Sequence, residues 1–541
     1  MRKLRNLFGA AMLLVTALTL TGCGLSDNAL EEIINNINPP QGEEEKETVI
    51  IPYTCRDYKE GTIQADNSVT FAKATRDTDP TKLTDATTNQ TWAGWYYAEG
   101  NVTIGAPGSE VTITLSDETH LILCDGATLT INGMINGGAS APYQSLYIYG
   151  QATGDGKMVV SNTGTYPVFI HLNTWQIHGG EITASVTGTG NIITSGFDML
   201  GGKLIAEKSS TDGQGYGINA NDALMDIKVY GGVVKAKGRG VTDSDGGMCV
   251  FNTKKLYVYG GEVTSIGNGS GGHGVEGNVE VLGTGSLTAT GAKGRSGGPG
   301  AGSGVRGSLI TNSSGDIKLT GGEGDGNNDG GSGLYLDLTA DGSGTIEITG
   351  GKGAGSGSGG MGVPKSVTVD GSVNITIVGG EGGDNLGNGG IAVYGKLAAN
   401  GSGNIIINGG NGSTAYGGHG VFEYLTTGTG CTSKITITGG NGASTKYGGY
   451  GILGKNTASD VGPYAINYSG GTIVVKGGNH NGELPHALGE GPTSNHGYIK
   501  TSSATNYYTW DGTTWTSAGS VNGVSAAISA RGVALPTMPT E

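Results

Sequence analysis

Ile346-Glu-Ile-Thr-Gly-Gly351, Ile375-Thr-Ile-Val-Gly-Gly380, Ile405-Ile-Ile-Asn-Gly-Gly410 and Ile435-Thr-Ile-Thr-Gly-Gly440 are one phrase written again and again: a short alternating strand that runs into a glycine pair. Earlier copies read Lys228-Val-Tyr-Gly-Gly232, Leu256-Tyr-Val-Tyr-Gly-Gly261, Leu287-Thr-Ala-Thr-Gly-Ala292 and Ile317-Lys-Leu-Thr-Gly-Gly322. Their first glycines fall at 231, 260, 291, 321, 350, 379, 409 and 439, a step of about 30 residues. A fixed period of that size marks a solenoid, in which each unit buries its apolar face only against its neighbours.

Working outward through one unit, Thr345-Ile-Glu-Ile-Thr-Gly-Gly351 is followed by a Gly/Ser loop, then Gly360-Met-Gly-Val363, then Ser366-Val-Thr-Val-Asp370. Three short strands separated by glycine turns make one triangular coil, with glycine expected to supply the positive φ of the corners. Strands of successive coils then pair in parallel about 4.8 Å apart, so about twelve coils build a rod of roughly 60 Å. No long stretch carries a 3.6-residue apolar period free of glycine. The fold expected is all-β: a parallel β-helix with a cap at each end.

Glycine supplies 108 of 541 residues, against about 7% in an ordinary chain. The absence of a Gly-X-Y period excludes collagen, and the Ile/Val/Leu alternation argues against disorder. The formal net charge is −15, which repels phosphate backbones and argues against nucleic acid as a partner.

Five segments are expected. Residues 1–22 hold a basic start (Arg2, Lys3, Arg5) and a short apolar run from Leu7 to Leu20, the pattern of an export signal rather than a membrane span. Residues 23–48 are a polar, acidic tether. Residues 49–110, with Trp92, Trp95, Tyr96 and Tyr97, are an N-terminal cap and first strands, since an open solenoid end exposes a sheet edge. The β-helix spans 111–480. Residues 481–541 form a C-terminal cap and tail, with Asp511-Gly512 as a hairpin turn between aromatic arms. Of the remaining cysteines, Cys55, Cys124, Cys249 and Cys431 form no C-x-x-C motif, and spacing alone does not choose among their possible pairings.

Two resemblances add to this. Leu20-Thr21-Gly22-Cys23 resembles the lipobox of bacterial lipoproteins, which implies cleavage before Cys23 and acyl chains on that residue, a firm membrane anchor. Leu121-Ile-Leu-Cys-Asp-Gly-Ala-Thr-Leu-Thr-Ile131, Leu146-Tyr-Ile-Tyr-Gly-Gln151 and Gly154-Asp-Gly-Lys157 resemble the opening coils of right-handed β-helix surface proteins of anaerobic bacteria. That group includes a pectate-lyase-like family of carbohydrate-binding lipoproteins. The resemblance covers about 110–480 and implies an exported, lipid-anchored, cell-surface protein, here read as a monomer.

Laid in register, the second strand of each unit places one outward residue per coil: Phe251, Glu276, Arg306, Tyr335, Pro364, Tyr394, Phe422 and Leu453. Tyr335, Tyr394 and Phe422 would share one face, two coils apart and then one. A flat, partly aromatic face suits an extended polysaccharide; the alternative is rings that shield a strand or pack under a loop. For metal, the pectate-lyase-like resemblance implies Ca²⁺, for which Asp243 and Asp245 are the candidate ligands and turn capping the alternative. Gly379-Gly-Glu-Gly-Gly-Asp-Asn-Leu-Gly387 matches the calcium nonapeptide of β-rolls, but the adjacent units lack its Asp. Arg239 and Arg306 are the basic residues a lyase reading would use; Arg239 also lies within ion-pair reach of Asp243. His273 and His419 occupy matching loop positions five coils apart. The expected function is non-catalytic polysaccharide binding, with a structural adhesin or a calcium-dependent lyase of acidic glycans as the alternatives.

Overall fold

A computed structural model describes residues 53–519 except 139, 210–211, 222–224, 241–245, 299, 444–445, 455–463, 479–497, 502–506 and 511–514. The export signal, Cys23, the whole tether, Asp243, Asp245 and Asp511-Gly512 therefore lie outside the described residues.

The chain from Thr54 onward is an all-β parallel solenoid, with no helix among the described residues. Its longest ladder runs from Asn101–Ile104 to Thr472–Lys476 through fourteen strands, each paired in parallel with the next. The repeated phrase forms this ladder from Leu287 onward. The two earliest copies, Lys228-Val-Tyr and Leu256-Tyr-Val-Tyr, pair with each other and then with Val279–Val281 in the ladder that leads to Leu338, one corner earlier, so the eight copies do not share one place in the coil. Ile346, Ile375, Ile405, Ile435 and Ile473 stand in one column and Ile348, Ile377, Ile407, Ile437 and Val475 in another. All are buried, because alternate residues of a strand point to opposite faces and the branched side chains stack on themselves from coil to coil. A second ladder stacks Leu338, Val367, Leu397, Leu425 and Ile466. Between the two, single bridges join Val305 to Leu334, Val363 to Val393, Val393 to Val421 and Val421 to Ile452. These three ladders are the sides of the coil.

The glycine pairs are of two kinds, and only one matches the expected role. In Gly180, Gly202, Gly232 and Gly261 the second glycine has φ between +70° and +84°, a conformation that side chains disfavour. In the pairs that follow the long-ladder strands, from Gly321-Gly322 to Gly439-Gly440, neither member does so. There the requirement is distance. Gly360 N–H donates to Gly351 O, Gly380 to Gly360, Gly390 to Gly380, Gly410 to Gly390, Gly418 to Gly410, Gly440 to Gly418 and Gly449 to Gly440, all at 2.7–2.8 Å. This zigzag knits the corner to the returning loop across every coil. A Cβ on Gly380 would sit 1.9 Å from the Gly351 carbonyl oxygen, so a side chain is excluded outright.

The N-terminal part does not all lie over the open end. β1 (Asp57–Ile63) and β2 (Val69–Thr75) form an antiparallel hairpin, which lies along a lateral face. Gly61 N–H donates to His178 Nδ1 at 3.0 Å, and Lys59 Nζ donates to the Ala152 carbonyl at 2.6 Å. The Gln151 amide nitrogen donates to the Thr54 and Asp57 carbonyls. Tyr58 packs against Trp95 and Tyr149, and His120 is sandwiched between Trp95 and Tyr147. The parallel ladders start at Thr81–Lys82 against Gln90–Ala98. At the far end Tyr498–Thr501 adds a parallel strand, and Tyr507–Trp510 pairs antiparallel with Trp515–Gly519, Trp510 opposite Trp515. No disulfide joins Cys55, Cys124, Cys249 or Cys431.

Two outcomes follow from these contacts. Gly380→Ala should lower the unfolding free energy by about 3 kcal/mol or more, because backbone must move to admit the methyl. Gly300→Ala, where a Cβ meets nothing within 4 Å, should stay within about 0.5 kcal/mol; urea unfolding of both variants measures the difference. Burial, with His120 adding to it, pushes His178 down to about 4. The unfolded chain then takes up a proton between about pH 6.5 and pH 4 that the folded chain refuses, so stability falls with pH through that window and levels off below it. Unfolding free energies from urea melts across the window should fall less in His178→Gln, by an amount on the order of 3 kcal/mol.

Candidate functional site

The column of outward residues beside the bridge ladder is where sequence placed the site. Bridges at Val305–Leu334, Val363–Val393 and Val393–Val421 set Arg306, Tyr335, Pro364, Tyr394 and Phe422 on consecutive coils. Tyr335 N–H donates to Val305 O, Tyr394 to Val363 O, and Phe422 to Val393 O. Pro364 has no N–H and cannot make the equivalent bond, and no bridge joins Leu334 to Val363. Tyr335, Tyr394 and Phe422 do share one face, with the spacing expected.

Phe251 does not belong to that column. Val275 pairs with Met248, and Glu276 with Cys249, so Cys249 is the member above Glu276. Register resumes only at Lys255 opposite Asn278. Residues 251–254 therefore form a bulge, and Phe251 is displaced onto it, half exposed.

The rings also do not make a flat platform. Tyr394 and Phe422 stack face to face, centroids 4.3 Å apart and planes 10° from parallel. Residues in one column of a parallel solenoid are superposed along the rod, so each ring covers its neighbour and presents an edge sideways. Tyr335 stands apart, 49% exposed. The gap between Tyr335 and Tyr394 opens as a groove of ≈ 550 Å³, which Pro364, Asp329, Ser358 and Lys365 also line.

Two neighbouring columns carry aromatics that the first alignment missed. Tyr416 and Tyr447 lie parallel at 6.2 Å, with the Lys446 ammonium 5.4 Å from the Tyr416 ring. His419 stacks on Tyr450 at 5.4 Å and touches Phe422. The signal was present. Asp329, Ser358, Asn388, Tyr416 and Tyr447 each precede a Gly-Gly pair of the returning loop, a second phrase with the same period. The Tyr416 and Asn388 positions are tied by a hydrogen bond from Tyr416 N–H to Asn388 Oδ1.

Above Tyr335 the column turns ionic. Glu276 is buried; one oxygen accepts from Arg306 Nη1 at 3.1 Å and the other from the Tyr216 hydroxyl. His273 Nδ1 accepts from Ser303 N–H at 2.9 Å, which puts the ring proton on Nε2. The 3.4 Å approach of Arg306 Nη1 to Nε2 then brings two donors face to face. Both Glu276 oxygens are engaged, so this cluster reads as a fixed polar seam rather than an acid–base pair. His273 and His419 hold the same loop position, since Gly247, Gly274, Gly304, Gly333, Gly362 and Ala392 each donate to the residue one coil on, from His273 through Ser303, Ser332, Met361 and Ile391 to His419. Five coil steps, about 24 Å, part them.

Of the other sequence candidates, the Arg239 guanidinium donates to the Asp212 carbonyl; its relation to Asp243 and Asp245 lies outside the described residues. Asp384, in the β-roll-like nonapeptide, pairs with Lys352 at 3.2 Å, both exposed. Asp325, in the oxygen-rich loop Asp325-Gly-Asn-Asn-Asp329, accepts from Ser296 N–H and faces Lys293. Among the described residues no three His, Cys, Asp or Glu side chains converge as a metal site.

No protein-family model, curated relative or solved structure matches the chain.

Arg306→Ala should cost about 1–2 kcal/mol in urea unfolding, since it leaves the buried Glu276 carboxylate with only a hydroxyl partner while Arg306 itself is half exposed. Arg306→Lys should restore part of that loss.

Proposed function

We propose that this chain is an exported, surface-displayed lipoprotein that binds polysaccharide on its β-helix face and performs no catalysis of its own. The observation that carries the reading is the groove between Tyr335 and Tyr394. Aromatic walls offer apolar surface to the C–H faces of a sugar, and Asp329, Ser358 and Lys365 offer acceptor and donor groups at the rim. Apolar surface with a few convergent polar groups is the general form of a small-ligand site. A larger aromatic cluster, around Trp95, His120 and Tyr149, is packed against the chain's own N-terminal hairpin, and Tyr230, Tyr257 and Tyr259 form a further stack.

The lipobox-like Leu20-Thr21-Gly22-Cys23 supports a lipid anchor on Cys23, with residues 24–48 as tether. The opening coils resemble pectate-lyase-like carbohydrate-binding lipoproteins, which supports the ligand class and keeps Ca²⁺, with Asp243 and Asp245 as candidate ligands, as a variable to test.

A glycan array with and without calcium tests this. Replacing Tyr335, Tyr394 and Phe422 together with Ala should weaken glycan binding about tenfold or more while the circular dichroism spectrum stays that of the parent. Unchanged affinity would sink the aromatic site. Release of unsaturated uronate would instead establish a lyase, and absence of any glycan binding would favour a structural adhesin.

A further inference from the structure

Tyr335 and Tyr394 stand two coils apart with only Pro364 between them, and that spacing has a chemical meaning. Two parallel-strand steps separate their backbones by about 9.6 Å. A saturated six-membered ring in van der Waals contact with an aromatic face on each side needs 3.5–4.0 Å to either, about 7–8 Å in all, and a modest tilt takes up the rest. Phe422 already covers one face of Tyr394, so the face Tyr394 has left is the one toward Pro364 and the groove. Pro364 is compact and keeps the floor low. Were a large side chain to stand there, the three rings would close into one continuous stack.

We infer that the groove is a slot for a single sugar ring, inserted between Tyr335 and Tyr394, and that the ligand is a chain end or a one-residue branch rather than a polysaccharide strand laid along the rod. This rests on the glycan-binding reading above and narrows it. Polar groups are placed before and after Pro364 along the coil. Asp329 Oδ1 accepts from Ser358 N–H at 2.6 Å, which orients the carboxylate and leaves its second oxygen for a sugar hydroxyl. Lys365 lines the other side and has no ion pair among the described residues, so its ammonium can donate to a ring or hydroxyl oxygen. Outside the slot, stacked rings such as Tyr394–Phe422 present edges, which give a long chain little apolar surface to follow.

The two modes predict opposite results for one substitution. Pro364→Trp fills the slot, so single-ring insertion should be lost by about tenfold or more; a chain lying along the face would meet one more ring and bind equally well or tighter. The variant should fold, because Tyr335, Tyr394 and Phe422 each make the backbone bond that proline lacks. Phe422→Ala should cost at most about threefold under insertion, since Phe422 only backs Tyr394, whereas Tyr335→Ala and Tyr394→Ala should each cost about tenfold. Isothermal titration would use methyl glycosides of glucose, galactose, mannose, N-acetylglucosamine and glucuronic acid, each beside its linear hexamer, with thermal unfolding as the fold control. Insertion predicts that whichever sugar binds does so with a hexamer advantage below about threefold. A hexamer advantage of about thirtyfold or more, with Pro364→Trp neutral or tighter, overturns the slot while leaving glycan binding in place. No binding by any of the ten probes removes the glycan reading and the slot with it.

Discussion

Backbone touching backbone at the glycine corners is the constraint on which the rest of this molecule depends. From Gly322 to Gly449 the corner and the returning loop lie so close that the second glycine of each pair donates its N–H to a glycine carbonyl of the adjoining segment at 2.7–2.8 Å. No side chain intervenes, so hydrogen bonding there is saturated without any contribution from side-chain chemistry. This closes the corner between the long ladder and the returning loop, where glycines leave no side chain to bury. It also fixes the rotation of each coil against the next, and with it the straightness of every column on the outer face. The Ile columns supply the hydrophobic stabilisation, but they would tolerate small slips that the glycine zigzag does not.

From that regularity the site follows. Columns of superposed residues give aromatic rings little choice but to stack, as Tyr394 does on Phe422 and Tyr416 on Tyr447. Binding surface for a ligand then arises where a column is interrupted. Pro364 is such an interruption twice over: it is small, and it breaks the bridge between Leu334 and Val363. The buried Glu276 with Arg306 and Tyr216 marks the upper limit of the aromatic stretch and holds that part of the face rigid.

How much of this could be read in the sequence varied with the kind of information needed. The period, the inward isoleucines and the common face of Tyr335, Tyr394 and Phe422 were legible, because a strand repeats with period two and the solenoid with period thirty. The place of Phe251 was not. Residues 251–254 bulge out of the strand, and Met248-Cys249 and Val250-Phe251 look equally good as the inward–outward pair until pairing decides for the first. The two conformations of Gly-Gly were likewise hidden, since identical letters serve a positive φ at Gly232 and a close approach at Gly380. The lateral hairpin depends on contacts such as Gly61 to His178, 117 residues apart, for which no local pattern exists. Tyr416 and Tyr447 were legible in principle, through the second glycine phrase.

The broken column at Pro364 also bears on how such a face can change. Its two aromatic walls are held by coils whose separation comes only in whole steps of one strand spacing, so the width of the gap is quantised. Removing a repeat would shut it and adding one would widen it by about 4.8 Å, with no intermediate setting available to a backbone this tightly indexed. Fine adjustment must come from the floor residue and the rim, while coarse adjustment requires the gain or loss of an entire thirty-residue unit. A solenoid of this kind discriminates its ligands by counting coils.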